Sequence, residues 1–277
     1  MRSILLQFLL VLVLPFSTLS QFYYKDIIGT ASATDQLKRY KTAKVHKVIL
    51  RSFESTGEAV SDFICVQEVT PSYNAIKTKT QSVQNGQSVL VSQFNFKGQL
   101  TRSSDSSNTT LHVSVYTYDA SGQLQIIETI SQAYAYQTKE REQHSWYYHE
   151  GKPEKMLSVR NSIDTLEVKF TLDENKNVAE EEWFKKGKLQ EKYYYYYNES
   201  NQLTDIVRYN EKARRLLPDF VFEYNTSGLL QQMISVQTGS SNYLIWKYDY
   251  NEKGLKVKES CYNKQKQLLG TVTYTYE

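Results

Sequence analysis

A short motif that recurs about every 26 residues constrains the fold of this chain more than any other feature. The motif reads aromatic, polar, aromatic, then a short turn containing Gly or Asn, then an aliphatic residue. The clearest copy is YTYDASGQL at residues 116–124, and further copies occupy residues 94–100, 195–203, 222–230 and 248–255. One copy is too small to bury an apolar face alone, so neighbouring copies must stack beside it.

The turn residues of successive copies set the length of the repeat. They are separated by 29, 26, 24, 27 and 26 residues, and they are Gly122, Gly151, Asn177, Asn201, Gly228 and Gly254. At about 3.3 Å per residue, a strand of roughly eight to ten residues is about 30 Å long. Each repeat is therefore predicted to be one long hairpin plus its return turn.

Alternating polarity indicates that these strands have one covered face. Leu166, Val168 and Phe170 alternate with Glu167 and Lys169, the period-two pattern of a strand that is wet on one side. A transmembrane barrel is the competing fold, because its strands alternate as well, but its lipid-facing side needs an unbroken apolar band. The charges in mid-strand favour a soluble sheet.

The predicted fold class is all-β. We expect one long antiparallel meander of about 16 to 20 strands, curled into a single-sheet roll or open barrel because large flat sheets are unusual. One short N-terminal helix is predicted over residues 35–43, where Thr34 can cap the first turn.

The motif copies resemble the tyrosine-aspartate (YD) repeats of RHS-type secreted proteins. Residues 116–124 match that pattern throughout, and residues 222–230 and 248–255 match it with Asn for Asp or Phe for Tyr. The segment EWFKKGKLQEKYYYY is similar to the hairpins of bacterial MORN-like antitoxins, and the whole chain resembles exported, tyrosine-rich proteins of Bacteroidota. The resemblance to YD repeats covers roughly residues 90–277, and it implies a long twisted meander and no chemistry.

The N-terminus predicts export. Arg2 is followed by an apolar run over residues 4–16 and then by small and polar residues, the pattern of a signal peptide cleaved before Gln21. The alternative is an uncleaved anchor, but the run is shorter than the roughly 20 residues that span a bilayer. We predict a signal peptide (residues 1–20), an N-terminal extension with the short helix (21–45) and a β-hairpin repeat domain (46–277), located in the periplasm or outside the cell.

Charge and cysteine usage restrict the partners. The chain has 33 basic and 30 acidic side chains, and loss of Arg2 with the signal peptide leaves 32 against 30. A net field this weak is not expected to attract nucleic acid or anionic lipid, and we expect no integral membrane span after cleavage. Cys65 and Cys261 fit no spacing motif, so two buried thiols are favoured over a disulfide.

The sequence contains no recognisable catalytic pattern, such as a Gly-x-Ser-x-Gly elbow or a His-Glu-x-x-His helix. His144 and His149 fall on opposite faces of a strand, and we expect both to face solvent and to bind no metal. The acidic run at residues 180–182 beside Trp183 would form a glycosidase site only if two carboxyls faced each other across a cleft. We expect no catalytic residue, no metal and no cofactor.

The tyrosine run at residues 193–197 is the segment most open to a functional interpretation. Exposed tyrosines supply flat, amphipathic contact area, whereas a cross-strand aromatic ladder that stabilises the sheet is the alternative. One face of the run holds its odd-numbered members, and the other holds Tyr194 and Tyr196. The predicted binding face comprises Tyr193, Tyr195, Tyr197, Trp183, Trp146 and Tyr148.

These observations predict an exported, non-catalytic binding or scaffold module that acts in the cell envelope or outside the cell. The partner is an unknown protein, peptide or glycan. The alternatives are a carbohydrate-binding or carbohydrate-active envelope protein and an immunity protein against a secreted toxin.

Overall fold

The computed structural model describes residues 22–83, 86–136, 138–211, 213–236 and 241–277. The predicted signal peptide and its cleavage site before Gln21 lie outside these ranges. Within them the chain forms one α-helix, α1 (Lys25–Ala43), one 3-10 turn (Tyr134–Tyr136) and eighteen strands.

The strands follow one another along the chain at nearly constant length. They are β1 (Lys47–Glu54), β2 (Ile64–Val69), β3 (Ala75–Ser82), β4 (Gly86–Phe94), β5 (Leu100–Ser107), β6 (Thr110–Tyr118), β7 (Leu124–Ala133), β8 (Thr138–His149), β9 (Lys152–Arg160), β10 (Asp164–Leu172), β11 (Val178–Lys185), β12 (Lys188–Tyr197), β13 (Leu203–Asn210), β14 (Arg215–Tyr224), β15 (Leu230–Val236), β16 (Tyr243–Tyr250), β17 (Lys256–Tyr262) and β18 (Leu268–Tyr276).

The strands form one closed antiparallel barrel. Each strand pairs with the next one in the chain, and β18 pairs with β1 from Val48↔Tyr276 to Glu54↔Gly270. The prediction of an all-β meander of this size, curled into a barrel, is confirmed. The barrel is closed rather than open, because pairing of β1 with β18 satisfies the backbone groups that two free edges would expose.

The turns explain why the motif needs Asp or Asn and Gly. In seven hairpins an Asn or Asp side-chain oxygen accepts the backbone N–H of the residue four positions on, at 2.8–3.0 Å. The residue three positions on has φ between 57° and 90°, a conformation that glycine adopts without steric cost. Six of these turns lie at one end of the barrel, which we call the motif rim. They begin at Asn95, Asp119, Asp173, Asn198, Asn225 and Asn251.

The tyrosine of the motif has a structural role of its own. The tyrosine hydroxyl before a motif-rim turn, or at the end of β18, donates to a main-chain carbonyl in the preceding hairpin at 2.5–2.9 Å. The acceptor belongs to the residue that opens the returning strand, at or beside a β-bulge, where the ladder is locally disrupted. The donors are Tyr118, Tyr148, Tyr197, Tyr224, Tyr250 and Tyr276. These bonds tie each hairpin to its neighbour.

Helix α1 crosses the interior of the barrel. Its start and the residues before it pack on the inner side of β7–β14, whereas Leu37 and Tyr40 pack on β1–β5 and β18. These two sets of strands lie on opposite sides of the barrel. A helix of this length is about 28 Å long, and eighteen tilted strands enclose a barrel about 35 Å across between backbones. The helix therefore spans the lumen and supplies much of the core.

The helix begins ten residues earlier than the sequence predicts, at Lys25 rather than Asp35. Thr34 does not cap it; its hydroxyl bonds the Thr30 carbonyl inside the helix at 3.0 Å. Packing of Ile27, Ile28 and the aromatic residues before the helix against the lumen wall outweighs the weak helix propensity of this sequence. In the described part of the chain, no helix combines the length and apolar character needed to cross a bilayer.

Candidate functional site

The six predicted binding residues lie together, and they lie inside the barrel. Tyr193, Tyr195, Trp183 and Trp146 are buried, and Tyr148 and Tyr197 are partly buried against the same cluster. The N-terminal segment is packed among them: the Phe22 ring lies 5.9 Å from that of Tyr195 in an edge-on arrangement. Any external ligand of this face would have to displace the protein's own residues 22–28.

A buried carboxylate anchors that segment. Glu181 is 0% exposed and accepts backbone N–H bonds from Tyr23 at 2.6 Å and Tyr24 at 2.9 Å. The Trp183 indole and the Tyr195 hydroxyl each donate to the same carboxylate at 2.6 Å. Burial raises the pKa of Glu181, and these four donors oppose the rise. Because α1 starts at Lys25, the carboxylate also lies at the positive end of the helix dipole.

An ion-pair network next to it fixes the first turn of α1. His144 Nδ1 lies 2.7 Å from an Asp26 carboxylate oxygen, and its Nε2 lies 3.2 Å from Glu142. Burial acts to lower the pKa of His144, but the two carboxylates raise it to about 9. The bond from His144 and those from Ser158 and Arg160 lower the pKa of Glu142 to about 2 despite its burial. The expectation that His144 faces solvent is wrong, because its strand position points into the lumen.

The three consecutive acids divide between the two faces of β11. Glu180 and Glu182 point outward and share Lys192, whose Nζ lies 2.9 and 3.0 Å from their oxygens. Glu181 points inward, so no two of these carboxyls face each other across a cleft. In the described ranges, no group of three His, Cys, Asp or Glu side chains is placed to hold a metal ion. Cys65 and Cys261 are buried free thiols.

The outer face of the tyrosine run borders a depression of about 510 Å³ that is open to solvent. It is a shallow depression at the motif rim, between the β10–β11 and β12–β13 hairpins. Ala179, at the β11 bulge, contributes only a methyl group to its surface. The lining residues are Asp173, Glu174, Asn175, Ala179, Glu180, Tyr194, Tyr195, Tyr196, Tyr197 and Asn198.

Two outward tyrosines form a shelf along this depression. Tyr196 is 48% exposed, and Tyr194 lies beside it with the Lys192 ammonium 5.1 Å from its ring centre. Lys192 is itself held by Glu180 and Glu182, so the Tyr194 ring has a fixed neighbour on one side. Asp173 and Asn198 already serve their own turns. The side chains of Glu174 and Asn175 have no hydrogen-bond partner in the part of the chain that the structure describes.

Comparisons with known proteins find likenesses of shape only. No protein-family model and no curated protein matches the chain, so the resemblance to YD repeats rests on the motif alone. A porin-like protein from Bacteroides uniformis is similar over 84% of this chain and 98% of its own, with 11% identity and a TM-score of 0.43. A porin-like protein from Bacteroides vulgatus covers the same shares, with 12% identity and a TM-score of 0.28.

A third solved structure, of the TcdB2-TccC3-Cdc42 complex, matches 78% of this chain and 12% of its own at 13% identity, with a TM-score of 0.35. At this level of identity and overlap, none of the three indicates a ligand or an activity for this chain.

Proposed function

We propose that this protein is an exported, non-catalytic binding module whose ligand is a glycan of the cell envelope or its surroundings. The observation that carries the proposal is the shelf of Tyr194 and Tyr196 beside unpaired polar groups of Glu174 and Asn175. Sugar rings present an apolar face that stacks on flat aromatic side chains. Their hydroxyls then need hydrogen-bond donors and acceptors at the edge of the stack, which the carboxylate and the amide supply.

The two faces of the barrel wall support a protein that works in water. The inward side chains are largely apolar and already packed against α1. Outward positions in mid-strand carry exposed charges, among them Glu128, Lys169 and Lys247. A charge at such a depth on a lipid-facing strand costs about 2 to 4 kcal/mol, whereas in water it keeps the surface soluble.

Three acidic groups around the start of α1 support a non-catalytic role. Glu181 has four donors, and Asp26 and Glu142 share His144. A general acid or base must reach a proton of the substrate, and these carboxylates are instead occupied in holding the N-terminal segment. They account for the fold without any reaction.

Calorimetry against a panel of purified polysaccharides, including those of the cell envelope, tests the proposal. We expect a glycan that binds the parent protein and binds the variants Tyr194→Ala and Tyr196→Ala about tenfold or more weakly. Tyr147→Ala is the matched control, because Tyr147 is also an outward, exposed tyrosine with a lysine, Lys155, 4.9 Å from its ring centre.

The control variant should retain the parent's affinity, and all three variants should unfold at the parent's denaturant concentration. A glycan that binds equally well after loss of both shelf tyrosines would contradict the assignment of the site. Absence of any glycan ligand would contradict the proposal itself.

A further inference from the structure

Exposed apolar side chains gather at the rim opposite the motif rim. Three of them stand at the tips of three adjacent hairpins: Ile163 between β9 and β10, Leu189 at the start of β12, and Leu216 at the start of β14. They are 87%, 52% and 43% exposed. Single exposed apolar residues are ordinary on a protein surface. Ile64 at the start of β2 and Val83 after β3 are further examples on this rim, so the three neighbouring tips are distinguished by the charge around them.

Basic residues surround these tips. Lys186 and Lys188 flank the β11–β12 turn beside Leu189, and Arg214 and Arg215 precede Leu216; all four are exposed. The described residues of the three turns include five basic side chains, with Lys185 among them. They include two acidic ones, Asp164 and Glu211. Lys185 and Asp164 pair with each other at 2.8 Å. The tips therefore carry an excess of positive charge next to protruding apolar groups. We call Ile163, Lys186, Lys188, Leu189, Arg214, Arg215 and Leu216 the basic tips.

The same rim has the opposite charge on the other side of the barrel. The β1–β2 connection carries Glu54, Glu58 and Asp62, and no Lys or Arg lies between residues 54 and 63. β1 and β10 are separated by half the circumference of the eighteen-stranded barrel. The β17–β18 turn of this rim also carries two exposed lysines, Lys264 and Lys266, but no exposed large apolar side chain. Among the described residues of this rim, a net positive charge and protruding apolar side chains therefore occur together at the basic tips.

We propose that the basic tips dock the barrel on an anionic lipid surface. Apolar side chains at the tips of turns enter the headgroup region, while Lys and Arg beside them bind the lipid phosphates. The shape favours lipid over a folded protein: the tips are separate convex points rather than one flat apolar patch of the size that a stable protein interface buries. The headgroup layer of a lipid membrane can take up each protruding side chain separately.

This orientation has a consequence for the tyrosine shelf. The shelf lies at the motif rim and the basic tips lie at the other end of the barrel, so a docked barrel would direct Tyr194 and Tyr196 away from the membrane. The docking proposal rests on its own residues and stands whether or not the shelf binds a glycan.

Vesicle flotation tests the docking of the intact mature protein. The probe is vesicles of equal parts phosphatidylglycerol and phosphatidylcholine, with vesicles of phosphatidylcholine alone as the neutral comparison. We expect binding to the anionic vesicles only, weakened by salt, and reduced about tenfold or more by the double variant Lys186→Glu, Arg214→Glu. The double variant Leu189→Ser, Leu216→Ser should weaken binding at every salt concentration, because it removes the apolar contribution.

The matched control is Phe96→Ser combined with Lys97→Glu. Phe96 is 95% exposed at the motif rim and has Lys97 next to it, so this variant removes the same chemistry from the wrong end of the barrel. It should bind vesicles as the parent does, and far-ultraviolet circular dichroism should show that all variants are folded. The proposal is overturned if the parent does not float with anionic vesicles, or if the control variant loses as much binding as the variants of the basic tips.

Discussion

The two faces of β12 carry the same residue type and do different things. Inward, Tyr193 and Tyr195 are buried, and the Tyr195 hydroxyl donates to the Glu181 carboxylate at 2.6 Å. Outward, Tyr194 and Tyr196 border the open depression, and no hydrogen-bond partner for their hydroxyls lies in the described part of the chain. Since neighbouring residues of a strand point to opposite faces, one step along the chain separates a tyrosine that holds the fold from one that is free to bind.

The neighbouring strand, β11, shows the same division between its two faces with acidic residues. The outward Glu180 and Glu182 share one lysine at the surface, whereas the inward Glu181 collects four donors in the lumen. A carboxylate is costly to bury unless it is fully hydrogen-bonded, so the inner position requires the partners that it has. The difference between the two faces can be tested at each pair of positions.

The largest effect is expected from Glu181→Gln. The amide keeps the shape of the side chain but turns an N–H group toward donors that need an acceptor, which leaves buried groups unsatisfied. We expect a loss of about 3 to 4 kcal/mol in the free energy of unfolding, measured by urea denaturation. Glu182→Gln, one residue away on the outer face, should cost less than about 1 kcal/mol. Similar losses for both variants would mean that the face does not decide the role.

The next effect concerns pH and His144. Its folded pKa of about 9 lies above the ordinary value of 6.5, so its contribution is fully present below pH 6.5 and is lost as pH rises through 9. The shift corresponds to a contribution on the order of 3 kcal/mol. Glu142 has the opposite sign: its lowered pKa gives stability above 4.5 that is lost as pH falls toward 2.

Urea denaturation between pH 6 and 10 measures the alkaline limb of the stability curve, which is the fall in the free energy of unfolding as His144 loses its proton. The fall should amount to about 3 kcal/mol over that range. The groups that face the imidazole are Asp26, Glu142 and the Tyr23 ring. His144→Asn should lower the stability near neutral pH and flatten this limb. The control is His149→Asn, on the outer face of the same strand, which should leave the curve as it is. A parent protein with constant stability through this range would contradict the ion-pair network.

A smaller effect is expected from removing single hydroxyls of the tyrosine run. Tyr195→Phe takes one donor from a buried charge, and we expect a loss of about 2 kcal/mol. Tyr196→Phe removes a hydroxyl that already contacts water and should change the unfolding free energy by less than about 0.5 kcal/mol. Thermal and urea unfolding of the two variants side by side decide the comparison, which fails if the outer variant is the less stable one.

The smallest effect concerns the ties between hairpins. Tyr118→Phe leaves the Leu100 carbonyl without the hydroxyl that donates to it at 2.8 Å, and we expect a loss of about 1 kcal/mol. Tyr147→Phe, on the outer face of β8, is the control and should be neutral. Equal stability of both variants would show that these bonds add nothing beyond the packing of the rings.

Much of the fold follows from the sequence because the signal is local. Asp119, Gly122 and Leu124 encode the side-chain acceptor, the positive φ and the returning strand within six residues, and the copies of this motif predict the hairpins. The inward direction of Tyr193, Tyr195 and Tyr197 does not follow, because a run of five tyrosines has no polar–apolar contrast from which to assign a face.

The residue at which the helix begins does not follow from its neighbours in the sequence, for a different reason. Tyr23 and Tyr24 are held by Glu181, which is 158 and 157 positions away in sequence, and no capping residue stands next to Lys25. The interaction of His144 with Asp26 spans 118 positions. Such contacts join residues that are far apart in sequence and meet only in the folded barrel, so the sequence predicts the repeat but not the interior site.

The most direct measurement of the central claim compares two double variants of β12 for both stability and binding. Tyr194→Ala with Tyr196→Ala removes the outer pair, and Tyr193→Ala with Tyr195→Ala removes the inner pair. We predict that the outer variant unfolds at the parent's urea concentration and has lost glycan binding, whereas the inner variant is strongly destabilised. An outer variant that loses stability, or an inner variant that keeps it, would contradict the assignment of roles to the two faces.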